Sequence, residues 1–188
     1  MRRETLALLE TQAEQGQIEI FYGDEAQVAQ SGYVPYAWQF KGEQVSVPAG
    51  RGRSVHCFGL LFRSCAFRFR TSERAITSSF VLEELETFSL SRLGQKPAVV
   101  VLDGARIHTA KKIRERLAVW QQRGLYVYYL PPYSPHLNII ERLWKELKAR
   151  WDYADADGLF YATWQALSAV GRELTINFKP FRQQCKVI

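Results

Sequence analysis

The stretch AVVVLDG, residues 98–104, decides the fold. Ala98, Val99, Val100, Val101 and Leu102 present no polar face, so the strand they form must be covered on both sides. Asp103-Gly104 ends it. In open α/β sheets, ligands gather beyond the carboxyl ends of strands, which makes Asp103 a candidate site residue. Downstream, Arg106–Gln121 reads as a helix with Ile107, Ala110, Ile113, Leu117 and Trp120 on its buried face, and Gly124 as its stop. Leu125–Leu130 reads as the next strand, halted by Pro131-Pro132. Two further helices are expected over Asn138–Arg150 and Asp155–Leu174.

Upstream the elements change order. Residues 4–15 read as a short helix with Leu6, Leu9 and Ala13 on one face. Ile18–Tyr22 is an apolar strand that runs into Gly23-Asp24-Glu25. Tyr36–Phe40, Ser54–Phe62 and Ala66–Arg70 are rich in aromatic and β-branched residues and read as strands. GEQVSVPAGRGR, residues 42–53, reads as a polar loop. Ile76–Phe88 reads as a helix. A run of strands followed by strand–helix alternation specifies an α/β chain with a mixed sheet and helices on both faces.

The composition narrows the function classes. The chain has 188 residues, 47% of them hydrophobic, enough for one sizeable core. A formal net charge of +6 and a pI near 9.3 favour a polyanionic partner. Disorder, collagen-like repeats and a disulfide scaffold do not fit this composition. The longest clean apolar run, Ala98–Leu102, is far too short to span a membrane, and the N-terminal residues do not read as a signal peptide. Three cysteines without a CxxC pair and three histidines argue against a zinc site and make a reducing cytoplasm the default. His56 and Cys57 are neighbours on a strand and so face opposite ways, which suits packing better than a nucleophile–base pair.

Three carboxylates fall at special places. Asp24 is expected just past the first strand, Asp103 at the end of the apolar strand, and Glu141 in the first turn of the helix after PPYSP. Converging carboxylates repel unless a cation sits between them, and hard oxygen ligands favour Mg²⁺ or Mn²⁺. Two such ions ~3.5–4 Å apart would serve a phosphoryl displacement. Each acid also has a structural reading. Asp103-Gly104 suits a turn or helix cap. Asn138 and Glu141 suit a capping box, and Glu141 with Lys145 an i,i+4 surface pair. Spacing leaves both readings open.

The wording of three segments carries more. LPPYSPHLNIIERLWKELK (130–148), VVVLDGARIHTAKKI (99–113) and IEIFYGDEAQV (18–28) resemble the three acid-bearing segments of DDE transposases. The branch they most resemble is the mariner-like superfamily of bacterial insertion sequences. The resemblance covers roughly residues 15–175. It implies a ribonuclease H-like fold, with a mixed five-stranded sheet and helices on both faces. It implies that Asp24, Asp103 and Glu141 are the catalytic acids and ligands of two Mg²⁺ or Mn²⁺ ions. The implied reaction is phosphodiester hydrolysis at transposon ends, then transfer of the freed 3′-OH to target DNA. The implied partner is double-stranded DNA, the active form a homodimer, and the location the bacterial cytoplasm at the nucleoid, with no membrane.

Further candidate residues stand beside these acids. His108 matches a recurrent family histidine, which would contact the scissile phosphate, orient Asp103, or simply cap the helix. Glu25 and Asn138 are candidate supporting residues. As basic residues, Arg51, Arg53, Lys111, Lys112, Lys145 and Lys148 are candidate DNA contacts, as are Arg63, Arg68 and Arg70, and each also reads as an ordinary solvated charge. Gly104 departs from the family's Asn, and His136 and Ile139 from its Glu and Pro. Residues 1–16 are expected to be a linker-like helix, 17–175 the catalytic domain and 176–188 a tail. About 17 residues precede the first strand, too few for the family's helix-turn-helix domains, so the chain reads as the catalytic half. The alternative is a catalytically impaired or domesticated DNA-binding or assembly module.

Overall fold

The computed structural model describes residues 2–29, 53–63, 66–132, 134–149 and 159–170. The strand expected at 36–40 and the 176–188 tail lie outside them. The elements are α1 (Arg2–Glu14), β1 (Glu19–Ala29), β2 (Ser54–Phe62), β3 (Phe67–Ser72), α2 (Ser78–Ser91), β4 (Ala98–Leu102), α3 (Lys111–Gln122), β5 (Leu125–Tyr129), α4 (Ile140–Ala149) and α5 (Leu159–Ser168). A short 3₁₀ turn at Pro135–Leu137 precedes α4.

The five strands form one sheet in the order β3-β2-β1-β4-β5. β1 pairs antiparallel with β2, and β2 with β3. β4 runs parallel to both β1 and β5. All five β4 residues are buried, as their unbroken apolar run requires. Their alternation splits the core in two. Val99 and Val101 pack on one face with Leu6 of α1, Leu143 and Trp144 of α4 and Leu167 of α5. Ala98, Val100 and Leu102 pack on the other with Val81 and Leu85 of α2 and Ile113 and Trp120 of α3. The mixed sheet with helices on both faces is therefore present.

Three expected boundaries move. β1 continues to Ala29, so Asp24 lies inside the strand rather than past its end. Pairing with β2, from Phe21–Phe62 to Ala29–Ser54, satisfies the backbone through this polar stretch. Relative to β4, however, Asp24 is still beyond the last parallel pair, Tyr22–Val101. The helix expected from Arg106 begins at Lys111, because a turn intervenes in which His108 N and Thr109 N both donate to Ala105 O. α4 begins at Ile140 rather than Asn138.

Gly23 marks a close approach within the sheet. A Cβ there would lie 2.7 Å from Leu102 Cδ2 and 3.0 Å from Leu60 Cδ2. The β1 backbone thus runs beneath side chains from both neighbouring strands just before Asp24.

α2 and α3 are joined through one carboxylate. Glu86 accepts from Arg116 Nε and Nη2, from Trp120 Nε1 and from Arg123 Nη1, at 2.6–3.1 Å. The Arg116 bonds, then those from Arg123 and Trp120, hold its pKa down at about 2 against the cost of burial. A depressed carboxylate contributes stability above its unfolded pKa and loses it as pH falls through the folded value. Glu86→Gln is expected to cost about 1–2 kcal/mol at pH 7, allowing for partial solvent screening. In urea titrations, the gap between wild type and variant should close as pH falls from near 4.5 toward 2.

Candidate active site

Asp24 is brought to the site by β1, Asp103 by the end of β4 and Glu141 by the first turn of α4. The parallel register puts Asp24 and Asp103 each two residues past the Tyr22–Val101 pair, on adjacent strands. Only 7% of Asp24 is exposed. Its Oδ2 accepts a buried hydrogen bond from Trp144 Nε1 at 3.2 Å. Burial, followed by the charges of Glu25, Glu141 and Asp103, pushes its pKa up to about 8. The acids therefore share one electrostatic neighbourhood.

Asp103 is held differently. Its Oδ1 accepts from Ala105 N at 2.9 Å and lies 2.6 Å from His108 Nδ1. The His108 bond is the main reason its pKa is lowered. The first bond is the side-chain-to-backbone turn that Asp103-Gly104 suggested, so the structural and functional readings coexist in one residue. His108 is fully buried. Its Nε2 lies 3.0 Å from Glu25 Oε2, an ion-pair distance, although the angle is not that of a hydrogen bond. Burial opposes the imidazolium, but Asp103 and Glu25 together outweigh it and raise the pKa to about 9. Tyr129 Oη fixes the same turn by donating to His108 O at 2.9 Å. His108 thus ties β1 to the end of β4 and orients Asp103.

Glu141 is exposed and has no side-chain hydrogen bond or ion pair among the described residues. Neither the capping box nor the Lys145 pair forms. Asn138 instead sends its amide N–H to Gly23 O at 3.1 Å, and its buried Oδ1 has no partner among the described residues. Glu141, Asp103, Asn138 and Ser134 line an open cleft of about 360 Å³. Gly104 lies on its wall, and a Cβ there would meet nothing within 4 Å, so an Asn would have room.

Among the described residues, no group of three or more His, Cys, Asp or Glu side chains is arranged to hold a metal ion. The donors nevertheless suit a hard cation. Asp103 Oδ2 and both Glu141 oxygens have no hydrogen bond among the described residues, and Asp24 is burdened by like charge. Both His108 nitrogens face carboxylates, which leaves the imidazole no lone pair for a metal.

The expected DNA contacts divide. Lys111, Lys112, Lys145 and Arg53 are exposed. Lys112 donates to Ser79 Oγ at 2.7 Å, and Lys111 lies 3.8 Å from Glu115. Arg63 is paired with Glu14, and Arg70 with Glu83 and Glu84, so these two are engaged within the fold. Arg51 and the Lys148 side chain lie outside the described residues. Trp144, which hydrogen-bonds Asp24, is a residue beside the site that the sequence pattern does not reveal. Its sole sequence signal is its place three residues after Glu141.

Comparison with known proteins follows the same line. The DDE superfamily endonuclease family matches residues 19–158. The chain belongs to this family. A relative in Shigella sonnei, the insertion element IS630 uncharacterized 39 kDa protein, is 25% identical over 163 residues. That match takes in 86% of this chain and 46% of the relative, so the chain spans about half of its length. Among solved structures, the mariner Mos1 paired-end complex with Mg superposes with a TM-score of 0.59 at 14% identity, covering 89% of this chain and 54% of that one. The catalytic domain of Mos1 mariner transposase gives 0.53 at 12% identity, covering 90% and 87%. The catalytic core of BIV integrase gives 0.51 at 13% identity, covering 87% and 91%. This DDE-family chain therefore has the ribonuclease H-like fold of transposase and integrase cores. Among its described residues, no helix is long and apolar enough to cross a membrane.

The charge balance has a measurable consequence. Asp24's folded pKa lies above its unfolded one, so its contribution is present at low pH and lost as pH rises through about 8. His108 acts in the same sense, losing its contribution as pH rises through about 9. In chelator, the melting temperature should fall between pH 6 and pH 9. Asp24→Asn should flatten that slope and stabilise the metal-free protein at pH 8 by about 1–3 kcal/mol.

Proposed function

We propose that the chain is the catalytic domain of an insertion-sequence transposase that hydrolyses DNA phosphodiesters and transfers the freed 3′-OH to target DNA. The observation that carries this is the buried Asp24 set level with Asp103 on adjacent parallel strands, with Asp103 and Glu141 lining one open cleft, in a DDE-family chain. Asp24, Asp103 and Glu141 would hold two Mg²⁺ or Mn²⁺ ions. When bound, these ions supply charge neutralisation at the scissile phosphate and make water or a 3′-OH more nucleophilic. The chain's own residues set the stage for that chemistry. His108 keeps Asp103 ionised and oriented, with Glu25 behind it. Asn138 pins the base of α4 to β1, which fixes where Glu141 starts.

Double-stranded DNA is the proposed substrate, with transposon ends cut first and target DNA joined second. Arg53, Lys111, Lys112 and Lys145 are the proposed phosphate contacts, with Arg51 and Lys148 added from the sequence. The overall charge of +6 suits a polyanion, while the acids of the cleft require cations to admit one. Residues 17–175 would form the catalytic unit, working as a homodimer on paired ends at the bacterial nucleoid.

Supercoiled plasmid with Mn²⁺ tests the reading. Wild type should nick it, and Asp103→Asn should reduce the rate about 100-fold or more. Equal nicking by both would remove the active-site assignment. Replacing Lys111, Lys112 and Lys145 together by Gln should weaken duplex binding. The slope of log affinity against log salt should then become shallower by about 0.9 for each phosphate no longer neutralised.

A further inference from the structure

Trp144 is only 4% exposed, and a buried tryptophan is ordinarily bulk for the core. Its surroundings ask more of it here. The indole N–H points at a carboxylate, Asp24 Oδ2, at 3.2 Å. Packing alone would be served by any ring of similar size.

The seat for the indole is built opposite Asp24. Asp24 pairs across the sheet with Gly59. A Cβ on Gly59 would fall 3.1 Å from Trp144 Cη2 and 2.5 Å from the Phe67 ring. Phe67 meets the indole edge-on, with centroids 5.8 Å apart and planes at 74°. Glycine at 59 and Phe67 on β3 therefore hold the ring over β1, where its N–H reaches the acid.

A second polar contact completes the arrangement. Asn138 Nδ2 donates to Gly23 O at 3.1 Å. The start of α4 is thus fastened to two successive β1 residues, 23 and 24, by side chains placed three residues before and three residues after Glu141. Both fasteners are buried, Asn138 just before α4 at the wall of the cleft and Trp144 within α4, while Glu141 is exposed at the cleft.

We propose that Trp144 is a positioning residue: its indole N–H sets the orientation of the Asp24 carboxylate at the cation site and, with Asn138, fixes the span between Asp24 and Glu141. The inference rests on the metal-binding reading above. A carboxylate ligand held by an outer hydrogen bond meets its ion without first losing rotational freedom.

Calorimetric titration with Mn²⁺ separates the inference from the reading beneath it. Wild type should bind and Asp24→Asn should not; failure of either result overturns the metal site and the positioning role with it. With both satisfied, Trp144→Phe should retain a cooperative melt yet bind Mn²⁺ about 10–100-fold more weakly. Affinity equal to wild type would overturn the role of Trp144 alone. A second measurement needs no change at position 144. In ¹⁵N-labelled wild type, with the indole resonance assigned by triple-resonance methods, Mg²⁺ should shift the Trp144 Nε1–H signal, and Asp24→Asn should abolish that shift. A Trp144 signal unmoved by Mg²⁺, while Asp24-dependent Mn²⁺ binding is intact, would likewise overturn it.

Discussion

The parallel pairing of β1 with β4 is the constraint on which the site depends. It sets two aspartates side by side beyond the last pair that joins β1 to β4. The sheet cannot relieve the resulting repulsion by moving one strand, because β1 is fixed on its other edge by continuous antiparallel pairing with β2 from Phe21 to Ala29. The fold responds with different solutions for the two acids. Asp103 receives a buried imidazolium and a backbone N–H. Asp24 receives an indole N–H and a backbone hydrogen bond at Glu25, which do not offset its burial and the neighbouring carboxylates. That imbalance is costly for the metal-free protein and favourable for cation binding, in line with the general opposition between stability and function at charged sites.

The helices translate this sheet-level constraint into a site. On one face, α2 and α3 are locked through Glu86, which steadies the connection leading out of β4. On the other, α4 reaches over β1 with Asn138 and Trp144 and leaves Glu141 at the cleft. The rigid sheet thus supplies two acids, and a helix end supplies the third from an exposed, adaptable position. Such a division lets the site stay preformed around the aspartates and still adjust around a ligand.

The places of Asp103 and Glu141 in the fold are legible in the sequence because each stands at an element boundary marked by a change of pattern. The all-apolar β4 announced its own burial, and the two-sided core follows from its alternation. Asp24 was harder to place. Asp24, Glu25 and Gln27 look like the end of a strand, yet β2 carries β1 to Ala29 because backbone pairing does not depend on apolar side chains. The late start of α3 was hidden for a related reason: the turn through Ala105 and His108 takes the first backbone donors before the helix can. Trp144 could not be read as a site residue at all. Its role arises from Gly59 and Asp24, which are distant in sequence and meet it only through the register of the sheet.

That long-range dependence has a consequence for the living cell. Asp24, Asp103 and Glu141 come from three elements spread over most of the chain, and none has a local partner that makes a nuclease on its own. A ribosome-bound chain that has completed only β1–β3 carries one acid and no parallel neighbour to bring it a second. The proposed catalytic set would therefore assemble only after β1, β4 and α4 have all been made and have packed together. On the proposed reading, topology itself acts as a safety catch.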